Sequence, residues 1–135
     1  MKIEELSVGD WVALENQPFE VIGINPPYVD LLDNGNRLRL SDIYNENLLP
    51  IPLTAEILEK NGWLSPRAGI DRDTWWWTNK VDTAIEASEF QGEWQLTIIE
   101  QREIQYNYRL GLGLKYVHQL QHALRLAGVE KEIVL

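Results

Sequence analysis

The sequence predicts an α+β protein, in which a small N-terminal SH3-like β-barrel precedes a short helix, an antiparallel sheet and a C-terminal helix packed on that sheet. Three observations predict this class. Short β-type segments separated by turn residues fill residues 1–53, a hydrophobic period of two returns at residue 74, and a helical period begins near residue 114. We expect an N-terminal subdomain, residues 1–53, to share one core with the remainder, residues 54–135.

Four or five short strands are predicted in the N-terminal part. The strongest hairpin signal is Asp33-Asn34-Gly35-Asn36, because these residues tolerate positive φ. The segment Arg37-Leu38-Arg39-Leu40 then alternates strictly, so its leucines should face the interior and its arginines the solvent. Pro50 and Pro52 restrict the segment from Leu48 to Leu53 to an edge or closing strand. Strands of this length with short turns favour a small SH3-like barrel.

The clearest helix start is at Thr54. Its hydroxyl can cap a short helix that runs to Asn61, and Leu53 and Leu58 have the spacing of a hydrophobic staple. Gly62 can end the helix in the left-handed conformation. Ser65 to Asp73 then has the composition of a linker.

A second group of strands follows the linker. We expect Gln91-Gly92 and Gln101-Arg102 to be turns in a half-buried antiparallel meander. The predicted strands are Thr74 to Thr78, Thr83 to Phe90, Trp94 to Glu100 and Glu103 to Leu110.

The last part of the chain predicts an amphipathic helix from Leu114 to Ala127, which carries an apolar stripe on one face. Gly111-Leu112-Gly113-Leu114-Lys115 suggests a flexible hinge between the preceding strand and this helix. Gly128 provides a stop signal. A final short strand is predicted from Glu132 to Leu135.

Composition narrows the function classes. The chain has 135 residues, a formal charge of −9, 44% hydrophobic residues and six tryptophans. It contains no cysteine, so disulfides, thiolate metal sites and cysteine nucleophiles are excluded. The N-terminal residues carry no signal-peptide pattern, and no apolar run approaches the length of a membrane span. We therefore expect a cytoplasmic protein that does not act at a membrane.

Catalytic and metal motifs are weak. His118 and His122 lie four residues apart on the predicted helix, but Gln119 stands where a zinc protease helix needs glutamate, and the sequence has no third histidine. No serine sits in a nucleophile-elbow pattern. Carboxylates are abundant, and such pairs can still meet in space. The prediction is a protein that is not an enzyme and that needs no metal or cofactor.

Aromatic content is the unusual feature. On a strand, Trp75 and Trp77 should point to one face and Trp76 to the other. Either protein covers both faces, or one face is a docking surface, since tryptophan is enriched at binding hot spots. The leading hypothesis is a protein-interaction module in which Trp77 and Trp75 dock a protein partner of unknown identity.

Nucleic acid is the alternative ligand, because small barrels and aromatic sheets are used to bind it. Arg37 and Arg39 form the local basic pair of the predicted barrel and would contact phosphate. Residues 1–53 hold three basic and nine acidic side chains, so phosphate would approach a net charge of −6. The charge makes nucleic acid the weaker hypothesis, and the sequence leaves the oligomeric state open.

Two motifs carry a resemblance. The segments Pro50-Ile51-Pro52-Leu53-Thr54-Ala55-Glu56-Ile57-Leu58-Glu59-Lys60-Asn61-Gly62 and Lys115-Tyr116-Val117-His118-Gln119-Leu120-Gln121 resemble those of a group of short proteins, without established activity, from gut Bacteroides-type bacteria. Members are often associated with phage or other mobile elements. The resemblance implies an accessory role inside the bacterium, and it implies a structural role for His118.

Overall fold

The computed structural model describes residues 1–41, 47–64, 74–101 and 105–135. The predicted linker from Ser65 to Asp73 and the predicted turn at Arg102 lie outside the described residues. The chain divides into two compact units. Unit 1 comprises residues 1–52 and 116–118, and unit 2 comprises residues 53–115 and 119–135. The shared core that we expected stays a prediction.

Unit 1 contains five antiparallel strands, which are β1 (Trp11–Leu14), β2 (Gln17–Asn25), β3 (Tyr28–Asp33), β4 (Asn36–Leu40) and β5 (Leu48–Pro50). Their order across the sheet is β4-β3-β2-β1-β5. Within the described part of the chain, β4 and β5 are the two edges of this sheet, and no pairing between them closes it into a barrel.

Turn chemistry sets the register of this sheet. Asn34 and Gly35 both adopt positive φ, 49° and 83°, which confirms the predicted hairpin between β3 and β4. This turn pairs Leu31 with Leu38 and Asp30 with Arg39. Leucines of β4 therefore face inward and its arginines outward, as the alternation predicted.

The core of unit 1 consists of apolar side chains from the strands and from a short 3₁₀ helix, Ile3–Glu5. Burial of this surface is the main favourable term that holds the sheet together. The buried members are Ile3, Leu6, Val12, Val21, Val29, Leu31, Leu40 and Leu48.

Helix α1 (Ala55–Lys60) confirms the predicted capping. The Thr54 Oγ1 atom accepts a hydrogen bond from the Ile57 N–H at 3.3 Å, and Gly62 follows the helix with a φ of 85°. Leu58 is fully buried. A helix of this length depends on such packing for its stability.

The sheet of unit 2 contains β6 (Thr74–Thr78), β7 (Thr83–Phe90), β8 (Glu93–Gln101) and β9 (Gln105–Leu114), in sequential order. All neighbouring strands are antiparallel, which confirms the predicted meander. Gln91 and Gly92 adopt φ values of 53° and 81° in the turn between β7 and β8. Alternate residues along these strands point to one face of the sheet, which we call the inner face. The buried residues of the inner face include Trp75, Ile85, Ala87, Trp94, Leu96 and Ile98.

The predicted hinge at Gly111-Leu112-Gly113 is wrong, because β9 continues through these residues to Leu114. Gly111 pairs with Leu96, and Leu114 pairs with Trp94, across an irregularity in the β8–β9 register. Gly113 has a φ of 69°, a conformation that glycine adopts without strain. Gly113 therefore accommodates the irregular register while the strand stays paired.

Helix α2 (Val117–Leu126) begins three residues later than predicted, because Leu114 still belongs to β9. Val117, Leu120 and Leu124 are buried, as the helical period predicted, and Ala123 is buried beside them. Ala127, which the period also placed in the apolar stripe, is only half-buried. Gly128 ends the helix with a φ of 72°, and its N–H donates to the Arg125 carbonyl at 3.0 Å. This confirms the predicted stop.

The segment after α2 forms no strand from Glu132 to Leu135, in contrast to the prediction. The side chain of Asn61 holds it instead. Asn61 Nδ2 donates to the Val134 carbonyl at 2.9 Å, and Asn61 Oδ1 accepts from the Val134 N–H at 2.7 Å. A side-chain amide therefore replaces a neighbouring strand, and Ile133 beside it is buried.

Within the described ranges, no helix combines the length and the apolar character that crossing a membrane requires.

Candidate protein-binding cleft

Trp75, the first of the predicted docking residues, lies in the core of unit 2. It is 8% exposed, and its ring meets that of Trp94 edge-on with centroids 5.4 Å apart. Its Nε1–H donates to Glu59 Oε1 at 3.1 Å. The ring of Trp75 is thus packed inside the unit, and its N–H group has a hydrogen-bond partner there. Trp75 is therefore a core residue and does not belong to an exposed docking surface.

Trp76 points to the opposite face of β6 and is 39% exposed. Its backbone N–H and carbonyl both pair with Leu64, so this edge of the sheet is covered at that position. Trp76 and Glu86 are paired across β6 and β7 on the outer face. Substitutions at these two positions can therefore serve as controls for substitutions on the inner face.

Trp77, the second predicted docking residue, is half-buried and lines a cleft of about 220 Å³ at one end of the inner face. The cleft lies between the ends of three strands and the carboxyl end of α2. Its other walls include Asn79, Asp82, Thr83, Ile98, Glu100 and the segment 127–129.

Strand pairing explains why these residues meet. Trp77 pairs with Ile85, and Ile85 pairs with Ile98, so one row of apolar side chains crosses β6, β7 and β8. The next row toward the strand ends pairs Thr83 with Glu100. The inner face therefore changes from apolar to polar within two residues, and the cleft lies at this change.

The turn from Asn79 to Thr83 forms one wall of the cleft. Asn79 Oδ1 accepts hydrogen bonds from the N–H groups of Val81, Asp82 and Thr83 at 2.9, 3.1 and 3.1 Å. Asn79 Nδ2 donates to Asp82 Oδ1 at 2.9 Å. An asparagine that bonds the backbone ahead of it is a common way to fix a short turn. Asn79 therefore fixes both the turn and the carboxylate of Asp82.

The described lining of the cleft includes two carboxylates. Among its described lining residues, those with a charge are Asp82 and Glu100. The carboxyl end of α2, at residues 127–129, adds the negative end of a helix dipole. Charges at one end of a small concave site focus their field on an approaching ligand.

Arg37 and Arg39, the predicted phosphate contacts, converge on Asp30 within unit 1. Arg37 Nη1 lies 2.9 Å from Asp30 Oδ2, and Arg39 Nε lies 2.8 Å from Asp30 Oδ1. The Asp30 side chain is only 5% exposed, whereas those of Arg37 and Arg39 are 60% and 51% exposed. One buried carboxylate thus holds both guanidinium groups.

The charges and hydrogen bonds of this cluster shift the pKa of Asp30 and the pKa of Arg39. The hydrogen bond from Arg39, together with the positive charges of both arginines, lowers the pKa of Asp30 against the opposing effect of desolvation. The same hydrogen bond and charge raise the pKa of Arg39. The Arg39 guanidinium also lies 5.3 Å from the centre of the Tyr28 ring.

Gly23 makes room for this cluster. It pairs with Asp30 across β2 and β3, and a Cβ atom on it would come within 3.0 Å of Asp30 Oδ2. Sequence reasoning missed Asp30. The predicted hairpin contained the signal, because the two-residue turn that the structure shows at Asn34 and Gly35 places Asp30 opposite Arg39.

The acidic lining residues of the cleft were also missed. Asp82 and Glu100 are 18 positions apart in the sequence and meet only because Glu100 pairs with Thr83 beside Asp82. The signal for the turn was the polar run that begins at Asn79. Nothing local marks Glu100 as part of a site.

The histidines occupy separate environments. His118 is 5% exposed, and its ring stacks on Tyr116 with an interplanar angle of 8°. His122 is half-buried. Among the residues that the structure describes, no group of three or more histidine, cysteine, aspartate or glutamate residues is placed to hold a metal ion.

Comparison with known proteins identifies no relative: no family model, no curated protein and no solved structure matches this chain.

Proposed function

We propose that this protein is a non-enzymatic protein-interaction module and that the Trp77 cleft is its docking site. The observation that carries the proposal is the placement of Trp77, half-buried at the edge of a 220 Å³ cleft with polar groups around it. A rigid aromatic anchor beside a small pocket and a polar rim is the arrangement found at interface hot spots.

The size of the cleft supports a protein ligand over a cofactor. Small-molecule and cofactor sites usually have volumes of about 300–1,000 Å³. The cleft of about 220 Å³ is smaller and corresponds to the space of roughly seven water molecules. Such a volume suits one side chain of a larger partner.

Two further parts of the proposal concern the fold of unit 1 and the cellular role of the protein. Five short antiparallel strands, with β5 beside β1, support an SH3-like form for unit 1. The two sequence motifs support an accessory role in the bacterial cytoplasm, connected with phage or another mobile element. Both parts are independent of the cleft.

Nucleic-acid binding is the second candidate function. The exposed guanidinium faces of Arg37 and Arg39 beside Tyr28 favour it. Asp30 opposes it, because its carboxylate offsets one of the two positive charges, and a phosphate would have to compete with it. The protein-interaction role is therefore the better supported of the two.

The test is an affinity capture from a lysate of the source organism, with and without nuclease. Four tagged proteins are compared: the wild type, Trp77→Ala, Glu100→Lys and the outer-face control Trp76→Ala. Circular dichroism first establishes that each variant is folded. Glu100→Lys keeps the Trp77 ring and reverses one charge at the cleft, so it covers the case in which Trp77→Ala does not fold.

The expected result is one stoichiometric protein that survives nuclease and binds the wild type and Trp76→Ala but not the cleft variants. Equal capture by all four proteins would place docking elsewhere on the molecule. Recovery that disappears with nuclease would favour nucleic-acid binding instead. Loss of that binding when Arg37 and Arg39 are replaced would locate the nucleic-acid site at these two residues.

A further inference from the structure

We infer that Asn34 is a site of spontaneous covalent modification, at which the loss of ammonia converts the asparagine into aspartate and isoaspartate. The chain contains two Asn-Gly pairs, Asn34-Gly35 and Asn61-Gly62. The structure places these pairs in opposite environments, so that Asn34 reacts in the folded protein and Asn61 does not. The inference is independent of the Trp77 cleft.

The reaction joins an asparagine side chain to the backbone of the next residue. The backbone nitrogen attacks the side-chain Cγ atom, the C–N bond of the side-chain amide breaks, and the nitrogen gives up its proton to the departing ammonia. Water then opens the resulting succinimide ring at either of its carbonyl groups, which yields aspartate or isoaspartate without an oxidant or reductant. Asparagine is one of the thermolabile residues of proteins. A following glycine favours the attack, because it has no Cβ atom to obstruct ring closure.

The first Asn-Gly pair lies at the tip of the β3–β4 hairpin, where both reacting groups are accessible. Asn34 and Gly35 are both exposed, and no atom beyond the chain neighbours lies within 4 Å of the position of a Cβ on Gly35. Within the described part of the chain, the Asn34 side chain and the Gly35 N–H have no hydrogen-bond partner. The attacked carbon, the attacking nitrogen and water can therefore meet.

The hairpin tip can also supply the motion that ring closure needs. The backbone between Asn34 and Gly35 has to rotate away from its turn conformation, in which the two φ values are 49° and 83°. Exposed loop tips make such local excursions at little cost in free energy, while the strands behind them stay paired. The reaction at Asn34 therefore proceeds without unfolding of unit 1.

The second Asn-Gly pair is protected by hydrogen bonds. Asn61 is only 6% exposed. Its Nδ2 atom donates to the carbonyls of Ile57 and Val134 at 2.8 and 2.9 Å, and its Oδ1 atom accepts from the Val134 N–H at 2.7 Å. The Gly62 N–H donates to the Glu59 carbonyl at 3.1 Å. Both the leaving amide and the attacking nitrogen are thus engaged, and these hydrogen bonds have to break before Asn61 reacts.

The two products should differ in their effect on unit 1. Aspartate keeps the normal backbone, and Asp-Gly suits the same hairpin turn as Asn-Gly. Isoaspartate routes the backbone through the side chain, which adds one methylene to a turn of two residues. The pairing of Asp30 with Arg39 depends on the register that this turn sets. Isoaspartate at position 34 should therefore weaken this pairing, and either product adds one negative charge to a chain of net charge −9.

The test follows both asparagines in one sample. The full chain is incubated in mildly alkaline buffer, a parallel sample is incubated in concentrated guanidinium chloride, and peptides from each time point are compared by mass spectrometry with synthetic aspartate and isoaspartate standards. In the folded sample, we expect product to form at Asn34 roughly tenfold faster than at Asn61, or faster still. In the denatured sample, the two rates should converge, because the reacting dipeptide is the same.

Two variants complete the test. Asn34→Gly removes the reacting side chain and keeps a residue pair that suits this turn, so no product should form at position 34. Asn34→Asp supplies the aspartate product directly and controls for the added charge. The aged wild type should have a lower urea midpoint than Asn34→Asp, by an amount that grows with its isoaspartate content.

The outcomes decide each part of the inference. Equal rates at the two asparagines in the folded sample, or a faster reaction at Asn61, would overturn the assignment to the hairpin tip. The same conclusion would follow if Asn34 stayed intact in the folded sample while it reacted in the denatured one. An aged sample rich in isoaspartate with the stability of Asn34→Asp would overturn the effect on the strand register.

Discussion

The two units use charged and aromatic residues in opposite ways. In unit 1, Arg37 and Arg39 both pair with Asp30, so the most conspicuous cations of the N-terminal part are balanced within their own sheet. In unit 2, Trp77 and the acidic side chains near it line an open cleft. The first cluster is built around a buried carboxylate, whereas the second lies in the wall of a cleft.

The same contrast exists within one strand. Trp75 and Trp77 are two residues apart on one face of β6, yet Trp75 packs on Trp94 while Trp77 lies at the cleft. A tryptophan in the sequence therefore indicates a binding site only when the fold leaves its side chain partly exposed.

The largest expected effect tests the core side of this contrast. Trp75→Ala should lower the free energy of unfolding by about 3–5 kcal/mol, because it leaves a large cavity and removes the Glu59 hydrogen bond. Trp76→Ala, one residue along, should cost less than about 1 kcal/mol. Urea unfolding followed by circular dichroism measures both, and equal losses would remove the distinction between the two faces of β6.

A smaller loss is expected from Trp94→Phe. A phenyl ring retains part of the buried apolar surface of the indole, but the buried hydrogen bond from Trp94 Nε1 to the Leu53 carbonyl at 3.0 Å disappears. A buried carbonyl left without its donor costs roughly 1–3 kcal/mol. The same unfolding experiment checks it, and a stability equal to that of the wild type would show that the carbonyl finds another donor.

The Asp30 cluster should contribute a pH-dependent stability that is smaller still, because both arginines are more than half exposed and water screens the pairs. Its lowered pKa means that folded Asp30 holds its proton less tightly than unfolded Asp30. The stabilisation is therefore complete above the unfolded pKa of about 3.9 and is lost as pH falls through the lower folded value.

Asp30→Asn tests this assignment. The variant should have a lower urea midpoint than the wild type at pH 7, and the difference should shrink below pH 4, where the unfolded carboxyl is protonated. Unfolding curves from pH 7 to pH 2.5 measure it. A difference that stays constant over this range would assign the loss to packing beside Gly23 instead of charge.

The smallest stability effect should come from Glu100→Gln, within about 1 kcal/mol of the wild type. The same substitution should still weaken capture of the protein partner that we propose for the Trp77 cleft. A variant that keeps the fold and loses the partner would sharpen the contrast between the Asp30 cluster and the cleft. A large loss of stability would instead show that Glu100 supports the fold of unit 2.

Much of the fold could be predicted because its signals are local. The hairpin at Asn34 and Gly35, the cap at Thr54 and the meander from Thr74 each depend on neighbouring residues, and the structure confirms them. The hinge at Gly111 failed because glycine is equally compatible with a loop and a bent strand. Only pairing with β8 decides between them.

The candidate site was less accessible to sequence reasoning. The tryptophan run was visible, but alternation alone gave Trp75 and Trp77 the same role. Trp75 contacts Trp94 and Glu59, whereas Trp77 lines the cleft, and both environments are tertiary properties. Glu100 and Asp82 line the same cleft because Glu100 pairs with Thr83 in the strand register, and no local sequence pattern indicates this pairing.

The contact between Asn61 and Val134 has a dynamic consequence. Val134 belongs to no helix or strand, and its side chain is 54% exposed, so its surroundings suggest rapid amide exchange with solvent. Its N–H is nevertheless held at 2.7 Å by an asparagine that is 6% exposed. Hydrogen–deuterium exchange at Val134 should therefore be as slow as in a paired strand, and it reports directly whether α1 and the segment after α2 open together.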